Sequence, residues 1–347
     1  MPTINQQHGK AWSMYHGDCV QVVKDFPDES IDCVLYSPPF SSLYIYSDSE
    51  NDMGNCKSDA EFFEHYKFLL PELLRVTVTG RLCLVHCKDL PKYANRDGTT
   101  GLIDFPGMLI RAHEECGWSY HSRVTIWKCP VIERERTNNN GLLHKTVKRD
   151  RSQLRMGMAD YLLAFRKPPV GTLMSDKPVI QDCEDFEGCP SHDAGFSHYI
   201  GDVDPADQSQ HPSPFCRKTQ SSDPSIDIWR RYAEPVWWDV NQTRVLNKKT
   251  RDGKRHICPL QLDVIERAVQ IWTNPGDRVL SPFAGYGSEL WGAIKLGRRG
   301  VGIELNQEYF EKAVENLTAA EAEPVGAATL FDLATTDCTD DTDCIAA

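Results

Sequence analysis

The segment "RVLSPFAGYGSELWGAIKLGRRGVGIEL", residues 278–305, limits the fold of this chain more than any other. An apolar strand pattern runs into a turn that contains Gly285 and Gly287. A helical pattern follows and is closed by Gly297, and a second apolar strand pattern ends at Glu304. Strand, glycine turn, helix and strand in this order predict a βαβ unit, and therefore an α/β fold with parallel strands.

The glycine turn and the acid after it predict a ligand that contains a nucleoside. Glycines let the backbone bend sharply and approach a ligand closely. Glu304 ends the next strand, where a carboxylate can hold both hydroxyls of a ribose. Leu290 occupies the position of the third glycine of the dinucleotide fingerprint, and no Lys-Ser/Thr pair follows to make a phosphate-binding loop. A cofactor without a pyrophosphate is therefore favoured over NAD or ATP, and the alternative is a turn that serves packing alone.

A second unusual stretch, "IDCVLYSPPF", covers residues 31–40. Its first six residues suit a buried strand, interrupted only by Asp32. Proline cannot donate to a sheet ladder, so the strand has to end where Pro38 and Pro39 arrive. Taken alone, this Ser-Pro-Pro-Phe segment is typical of an ordinary strand-ending turn.

Together, "SPPF" and "SPFAGYGS" resemble the two signature motifs of the amino-group DNA methyltransferases. Members of that family methylate cytosine N4 or adenine N6 with S-adenosylmethionine. The catalytic motif comes first and the cofactor motif last, which is the permuted order of the β class. The resemblance covers residues 14–170 and 256–317. It implies a Rossmann-like, S-adenosylmethionine-dependent methyltransferase fold that is circularly permuted and carries a target-recognition insert.

The resemblance also implies roles for particular residues. Asp18 corresponds to a position that contacts the cofactor adenine, although it is equally suited to cap a helix. The family's His-Pro-Thr-x-Lys-Pro segment is "HICPLQ" here, with Cys258 and Leu260 at the Thr and Lys positions, so the site for the methionine end of the cofactor stays open. The implied catalytic residues are Ser37, Pro38, Pro39 and Phe40; the implied cofactor-binding residues are Asp18, Pro282, Phe283, Gly285, Gly287, Glu304 and His256; no metal is implied.

The Ser-Pro-Pro-Phe segment suits methylation of an amine. The lone pair of an exocyclic amine is delocalised into the base, so the amine attacks well only when acceptors hold its hydrogens. The Ser37 hydroxyl and the Pro38 carbonyl can do this, and proline fixes the carbonyl in place. Phe40 offers a face for a base turned out of the duplex. In the family, Ser at the first position favours cytosine N4 and Asp favours adenine N6, which stays the alternative here.

The chain divides into four segments. Residues 14–170 are predicted to form the catalytic half of the methyltransferase domain, and residues 256–317 the cofactor-binding half. Residues 171–255, irregular and rich in Ser, Asp, Pro and Gly at first, are the candidate target-recognition region. Residues 318–347 carry seven acids and no Lys or Arg, and are predicted to be a disordered tail.

Basic residues interleaved with aromatics predict contacts with double-stranded DNA. The chain shows no nuclease motif, so a restriction endonuclease would be a separate protein. The first cluster consists of Arg134, Arg136, Lys145, Lys148, Arg149, Arg151 and Arg155. The second consists of the eight Lys and Arg residues from Arg230 to Arg255, among Trp229, Tyr232, Trp237 and Trp238.

Composition narrows the cellular setting. No apolar run approaches the roughly 20 residues of a membrane span, and the first residues lack a secretory signal pattern, so a cytoplasmic protein is predicted. The thirteen cysteines are an odd number and often lie in apolar runs, as reduced buried thiols do. Cys183 and Cys189, near several histidines, invite a zinc interpretation, but their spacings fit no compact tetrahedral site.

Three other functions stay open at this point. The chain resembles, more weakly, methyltransferases that act on RNA or protein amines, because Pro-Pro-aromatic motifs serve those as well. A nicotinamide oxidoreductase is disfavoured by the missing third glycine. A DNA-binding protein that keeps the fold without catalysis is disfavoured by the intact Ser37, Phe40, Gly285, Gly287 and Glu304.

Overall fold

The computed structural model describes residues 5–40, 52–137, 140–168, 226–246 and 259–323. These ranges leave out most of the predicted insert, with Cys183 and Cys189 of the alternative zinc interpretation. They also leave out His256 and the chain after residue 323. The strands are β1 (Asn5–His8), β2 (Trp12–His16), β3 (Ile31–Tyr36), β4 (Thr77–Lys88), β5 (Leu90–Lys92), β6 (Gly101–Ile103), β7 (Ser119–Ile126), β8 (Asp160–Arg166), β9 (Val236–Trp237), β10 (Arg278–Ser281) and β11 (Arg299–Glu304). The α-helices are α1 (Cys19–Lys24), α2 (Asp59–Val76), α3 (Ala94–Asp97), α4 (Phe105–Glu115), α5 (Pro130–Thr137), α6 (His144–Arg149), α7 (Ile226–Tyr232), α8 (Leu262–Trp272), α9 (Ser288–Lys295) and α10 (Gln307–Ala322).

Nine of these strands form one sheet in the order β1-β2-β11-β10-β3-β4-β8-β7-β9. The five strands from β2 to β4 in this order are mutually parallel. At one end β8 pairs antiparallel with β4, and β7 antiparallel with β8. The predicted βαβ unit is present as β10-α9-β11, with β10 and β11 adjacent and parallel.

Helices cover both faces of the sheet, so its central strands are apolar on both sides. On one face α1, α2 and α4 bury residues such as Val22, Leu69 and Leu109 in a first core. On the other face α8 packs against the second core, which contains Leu35 and Leu84 of the sheet. Helices α9 and α10 close a third core around Trp12 and Met14 of β2.

The structure corrects the predicted boundaries at three points. Strand β1 joins the sheet before the predicted start at residue 14. The end of the predicted insert is part of the main sheet, because β9 pairs with β7 and Trp237 is buried in the second core. The first residues of the predicted disordered tail are ordered, because α10 continues to Ala322. Ala320 is buried, and Glu321 accepts a hydrogen bond from the Ala11 amide at 2.6 Å.

No helix within the described ranges is long and apolar enough to cross a membrane. The cysteines in these ranges are free thiols, buried at positions such as Cys33, Cys83 and Cys87, as their apolar settings predict. Burial raises the pKa of the Cys83 and Cys87 thiols well above its ordinary value, so both are unreactive packing residues.

Candidate active site

The predicted site residues meet at one edge of the sheet. Parallel strands end at the same edge, and the carboxyl ends of β2, β11, β10 and β3 are neighbours there. Asp18 comes shortly after β2, Glu304 ends β11, the glycine turn follows β10, and Ser37 follows β3. The structure therefore brings together motifs that are about 245 residues apart in the chain, which is where open α/β sheets bind their ligands.

The Ser-Pro-Pro-Phe segment stands at the end of a buried strand. Tyr36 is fully buried, and β3 ends there, before the two prolines. The Ser37 hydroxyl donates to the backbone carbonyl of His86 at 3.2 Å. Because a hydroxyl oxygen has two lone pairs, Ser37 remains an acceptor while it donates. Phe40 is 6% exposed: its ring packs in the first core and also lines the cavity described below.

Behind Ser37 the sheet carries a polar row that the sequence analysis missed. The His86 Nδ1 lies 3.3 Å from Ser37 Oγ, and the His86 Nε2 lies 3.2 Å from Asp160 Oδ2. The Lys128 Nζ lies 2.6 Å from the same carboxylate oxygen. These four side chains lie on the face of the sheet that lines the second core, because each is two residues from an apolar residue of that core. The pairs are Ser37 with Leu35, His86 with Leu84, Asp160 with Leu162 and Lys128 with Ile126.

The charge of Asp160 is fixed by this row. Asp160, His86 and Lys128 are 4%, 6% and 6% exposed. Burial acts to raise the pKa of Asp160, but the hydrogen bond to His86 and the charges of Lys128 and Lys88 hold it well below its ordinary value. Lys88 in turn donates to the buried Glu133 carboxylate at 2.8 Å. Asp160 is therefore a permanent carboxylate at neutral pH.

The glycine turn has the tight conformation that the sequence predicts. Gly285 and Gly287 have φ angles of 53° and 80°, in the left-handed region that favours glycine. A Cβ at Gly287 would also meet the Ala313 Cβ of α10 at 3.3 Å. Gly285 lines the cavity, whereas Gly287 begins α9 as its N-cap residue.

Glu304 closes the turn from the neighbouring strand. Its Oε2 accepts from the Gly285 amide and its Oε1 from the Asn306 amide, each at 2.8 Å. Burial, reinforced by the charge of Asp52, raises the pKa of Glu304 to about 7, against these amide hydrogen bonds, which lower it. The two amides thus hold the carboxyl in place at the cavity wall.

Asp18 has the helix-cap role and also lies at the cavity wall, while its contact with the cofactor adenine stays a prediction. Its Oδ1 accepts from the Val20 amide at 3.0 Å, so it caps α1. It also lines the cavity beside Gly17 and Cys19. Burial raises the pKa of this carboxyl above its ordinary value.

One cavity joins the two motifs and opens to solvent. Its wall contains Ser37, Pro38, Pro39, Phe40, Asp18, Pro282, Phe283, Gly285 and Glu304. The sequence analysis missed further wall residues, among them Asp52, Met53, Leu260, Ser288, Glu289, Leu305, Asn306 and Tyr309.

Four carboxyl side chains therefore line this cavity: Asp18, Asp52, Glu289 and Glu304. Glu289 is 5% exposed, and burial, reinforced by Glu304, raises its pKa to about 8. Its place two residues after Gly287, in the first turn of α9, is the signal from which the sequence could have found it. Leu260, at the position where the resemblance implies a lysine, is a buried apolar part of the wall.

The two basic clusters follow strands that end at the same edge of the sheet. Strand β7 ends at Ile126, opposite Asp160, and leads into α5 and α6. Lys145, Lys148, Arg149 and Arg151 are exposed or half-buried there, and Arg134 and Arg155 are half-buried. Strand β9 runs parallel to β7, and the exposed Trp238 follows it.

The second cluster is in part structural, which corrects the sequence analysis. Arg244 donates to Asp263 at 2.7 Å and makes two bonds to Glu266 at 2.6 Å, and Arg231 pairs with Asp239. Tyr232 and Trp237 are buried around the guanidinium of Arg267 rather than exposed. The side chains of Arg136 and Arg230, and residues 247–258 with the remaining cations, lie outside the described part.

Residues 31–315 match a family model described as DNA methylase. The type II methyltransferase M.BamHI of Bacillus amyloliquefaciens is 22% identical over 309 residues. The aligned part is 87% of this chain and 57% of M.BamHI, so the chain spans little more than half the length of that relative.

Solved structures resemble the chain over most of its length. A protein of Thermus thermophilus described as a DNA modification methylase, in complex with S-adenosyl-L-methionine, matches with a TM-score of 0.55 and 18% identity over 90% of this chain and 96% of that chain. The PvuII DNA methyltransferase, described as cytosine-N4-specific, matches with a TM-score of 0.51 and 15% identity over 94% of this chain and 90% of that chain. At these identities the likeness is one of fold, and it confirms the predicted Rossmann-like α/β architecture.

Proposed function

The chain belongs to the DNA methylase family, and we propose that it transfers the methyl group of S-adenosylmethionine to an exocyclic amine of a base in double-stranded DNA. The observation that carries the proposal is the single cavity that joins the Ser37 segment to the glycine turn and Glu304. A glycine turn that served packing alone would not need to share a cavity with the Ser37 segment, which comes from the other end of the chain.

The cavity wall fits the proposed cofactor by its side chains and its charge. When bound, the cofactor supplies an electrophilic methyl group on a positively charged sulfonium. Glu304 would hold the ribose hydroxyls, and the backbone at Gly285 would allow close approach. The carboxylates of Asp18, Asp52 and Glu289 would favour a cation in this cavity.

Glu289 offers an answer at the methionine end, where Leu260 replaces the lysine that the resemblance implies. A buried carboxylate in this wall can pair with the cofactor's ammonium group, and Leu260 can pack against its methylene groups. His256 lies outside the described residues, and its cofactor-binding role stays a prediction.

At the base, the work of the chain is to orient and polarise an amine. Ser37 Oγ and the Pro38 carbonyl would accept the two amine hydrogens, which turns the nitrogen lone pair toward the methyl group. Pro38 and Pro39 would keep the carbonyl fixed, and Phe40 would pack against the base. A serine hydroxyl at the first position favours cytosine N4 as the target, with adenine N6 as the alternative.

The cations after β7 support duplex DNA as the substrate. Lys145, Lys148, Arg149 and Arg151 lie on the segment that follows the sheet edge where Ser37 is found. M.BamHI is a type II methyltransferase, and by analogy a separate restriction endonuclease is the functional partner to seek for this chain.

The test is a methyl-transfer assay on unmodified duplex DNA with isotopically labelled S-adenosylmethionine, followed by mass spectrometry of the nucleosides. We expect N4-methyldeoxycytidine. N6-methyldeoxyadenosine would retain the mechanism and overturn the base assignment. Transfer to RNA in place of DNA, or to neither, would refute the proposed substrate.

Two variants assign the roles within the cavity. Ser37→Ala should lower kcat while the Kd for S-adenosylmethionine stays near the wild-type value, because the hydroxyl serves the base. Glu304→Gln should mainly raise that Kd. A Ser37→Ala protein that lost cofactor binding and turnover equally would contradict the assigned role of Ser37.

A further inference from the structure

The polar row behind the catalytic motif contains a histidine that the proposed reaction does not yet use. His86 presents two acceptors to the Ser37 hydroxyl: its carbonyl oxygen at 3.2 Å and its Nδ1 at 3.3 Å. Both distances are long for a hydroxyl donor, and a rotation about the Cβ–Oγ bond exchanges one acceptor for the other. The Ser37 hydrogen can therefore be directed to the imidazole without movement of the backbone.

The other ring nitrogen sets which proton the imidazole carries. The His86 Nε2 faces the Asp160 carboxylate at 3.2 Å, and a permanent carboxylate only accepts. The favoured neutral form therefore carries its hydrogen on Nε2 and a lone pair on Nδ1, toward Ser37. The Lys128 Nζ lies 2.6 Å from the same carboxylate oxygen and keeps its charge balanced within the row.

We propose that Ser37, His86 and Asp160 form a proton relay for amine methylation, in which His86 takes the proton that the target amine loses. This rests on the proposed function. As the nitrogen–carbon bond forms, the carbon–sulfur bond breaks and its electron pair stays on sulfur. The amine proton passes to Ser37 Oγ, and the Ser37 hydroxyl proton passes to His86 Nδ1. The positive charge of the sulfonium ends on an imidazolium beside Asp160, and is lost to solvent as a proton.

A relay fits the chemistry of serine at this position. A neutral hydroxyl is a weak base and cannot keep a proton from a methylated amine, whereas a histidine near neutral pH can. The charged groups on this row and its flank are Asp160, Lys128, Lys88 and Glu133, which pair with one another and stabilise a carboxylate at the His86 ring. Sheet geometry keeps the parts together: Tyr36 pairs with Val85, so Ser37 and His86 lie side by side at the ends of β3 and β4.

The variants are His86→Asn, which can hydrogen-bond Ser37 but cannot take a proton, and Asp160→Asn, which removes the carboxylate. His121→Asn is the matched control, because His121 is an exposed histidine of β7 away from the row. We expect His86→Asn to lower kcat by about 100-fold or more, the ordinary contribution of a general base, with the Kd for S-adenosylmethionine within about threefold of wild type. His121→Asn should leave both unchanged.

The pH profile separates a relay from a purely structural role. The pH profile of kcat should differ between the wild type and His86→Asn, because only the wild type carries an ionisable base beside Ser37. A His86→Asn protein with wild-type kcat, or with reduced kcat and an unchanged profile, would overturn the relay. Thermal unfolding of each variant checks that the fold is kept, and Asp160→Asn should lower kcat while its profile stays distinct from that of His86→Asn.

A measurement without turnover tests the geometry separately. Nitrogen-15 NMR of the histidine rings in the free protein should show His86 with hydrogen on Nε2 and an unprotonated Nδ1. Hydrogen on Nδ1 would overturn the relay even in an active enzyme. Absence of methyl transfer by the wild-type protein would instead refute the proposed function, and with it the relay as a catalytic device.

Discussion

Cofactor binding should depend steeply on pH, because the cavity presents two carboxyl groups that are partly protonated when it is empty. Burial raises the pKa of Glu304 to about 7 and that of Glu289 to about 8. A bound sulfonium and ammonium favour the ionised form of both, so protons are released on binding. Below both pKa values, each carboxyl coupled in this way lowers the affinity about tenfold per pH unit, or about 1.4 kcal/mol.

The wild-type Kd for S-adenosylmethionine should therefore rise by up to about 100-fold between about pH 6.5 and about pH 5.5, a window in which the cofactor's own α-amino group stays charged. Glu289→Gln should reduce this change to about tenfold, because only Glu304 remains coupled. Isothermal titration calorimetry in two buffers of different ionisation enthalpy measures the Kd and the protons released. Glu311→Gln, an exposed change on α10, is the control.

S-adenosylhomocysteine gives an internal comparison, because it keeps the ribose but lacks the sulfonium charge. Its affinity should vary less with pH than that of the methyl donor. A wild-type affinity for S-adenosylmethionine that stays constant, or rises, as the pH falls would refute the argument that ionised carboxylates hold the cofactor.

Three further predictions follow from particular side chains. The folded-state pKa of Glu289 is raised above its ordinary 4.5, so ionisation of this carboxyl destabilises the fold as the pH rises toward about 8. Glu289→Gln should therefore increase the free energy of unfolding of the cofactor-free protein, measured in urea, by up to about 5 kcal/mol at about pH 8. The same variant should have little effect near pH 4.5. Burial lowers the pKa of His113 from 6.5 to about 4, so wild-type stability should fall by up to about 3 kcal/mol as the pH drops through that window, and His113→Gln should remove this pH dependence in the same measurement. Replacing Lys148 and Arg149 with Glu should weaken DNA binding, measured by fluorescence titration at several salt concentrations. The slope of the logarithm of the DNA-binding constant against the logarithm of the salt concentration should become shallower by about 0.9 per lost phosphate contact. Arg244→Ala, which breaks an internal ion pair, should leave that slope unchanged.

The sequence predicted the central elements because their signals are local. The glycine turn after β10 and the strand before Ser37 each depend on residues within a few positions, and the structure has both. The first residues of the segment predicted as a disordered tail are helical instead, because Ala320 packs in the third core.

The missed residues depend on contacts between distant segments. His86 and Asp160 are 74 residues apart, and neither has a motif of its own; their contact exists because β4 and β8 pair with His86 opposite Leu162. Glu289 looked like an ordinary acid in the first turn of a helix, and only the packing of that turn against the cavity removes it from water. Ion pairs such as Arg244 with Glu266 likewise cannot be separated from DNA-binding cations until the partner segment is placed.

The presence of serine at position 37 can be explained by the strands next to β3. An aspartate in place of Ser37 would bring its own negative charge to the target amine, and would stand next to His86 with Asp160 on the far side of the ring. A neutral serine leaves the positive charge that develops on the amine without a nearby counterion, and the His86–Asp160 pair supplies one at the next strand. Since β3, β4, β8 and β7 are paired in one sheet, the two-residue period that buries Leu35, Leu84, Leu162 and Ile126 also aligns Ser37, His86, Asp160 and Lys128 in a row. The same alternation that builds the second core therefore places the three members of the proposed relay in order at the edge of the sheet.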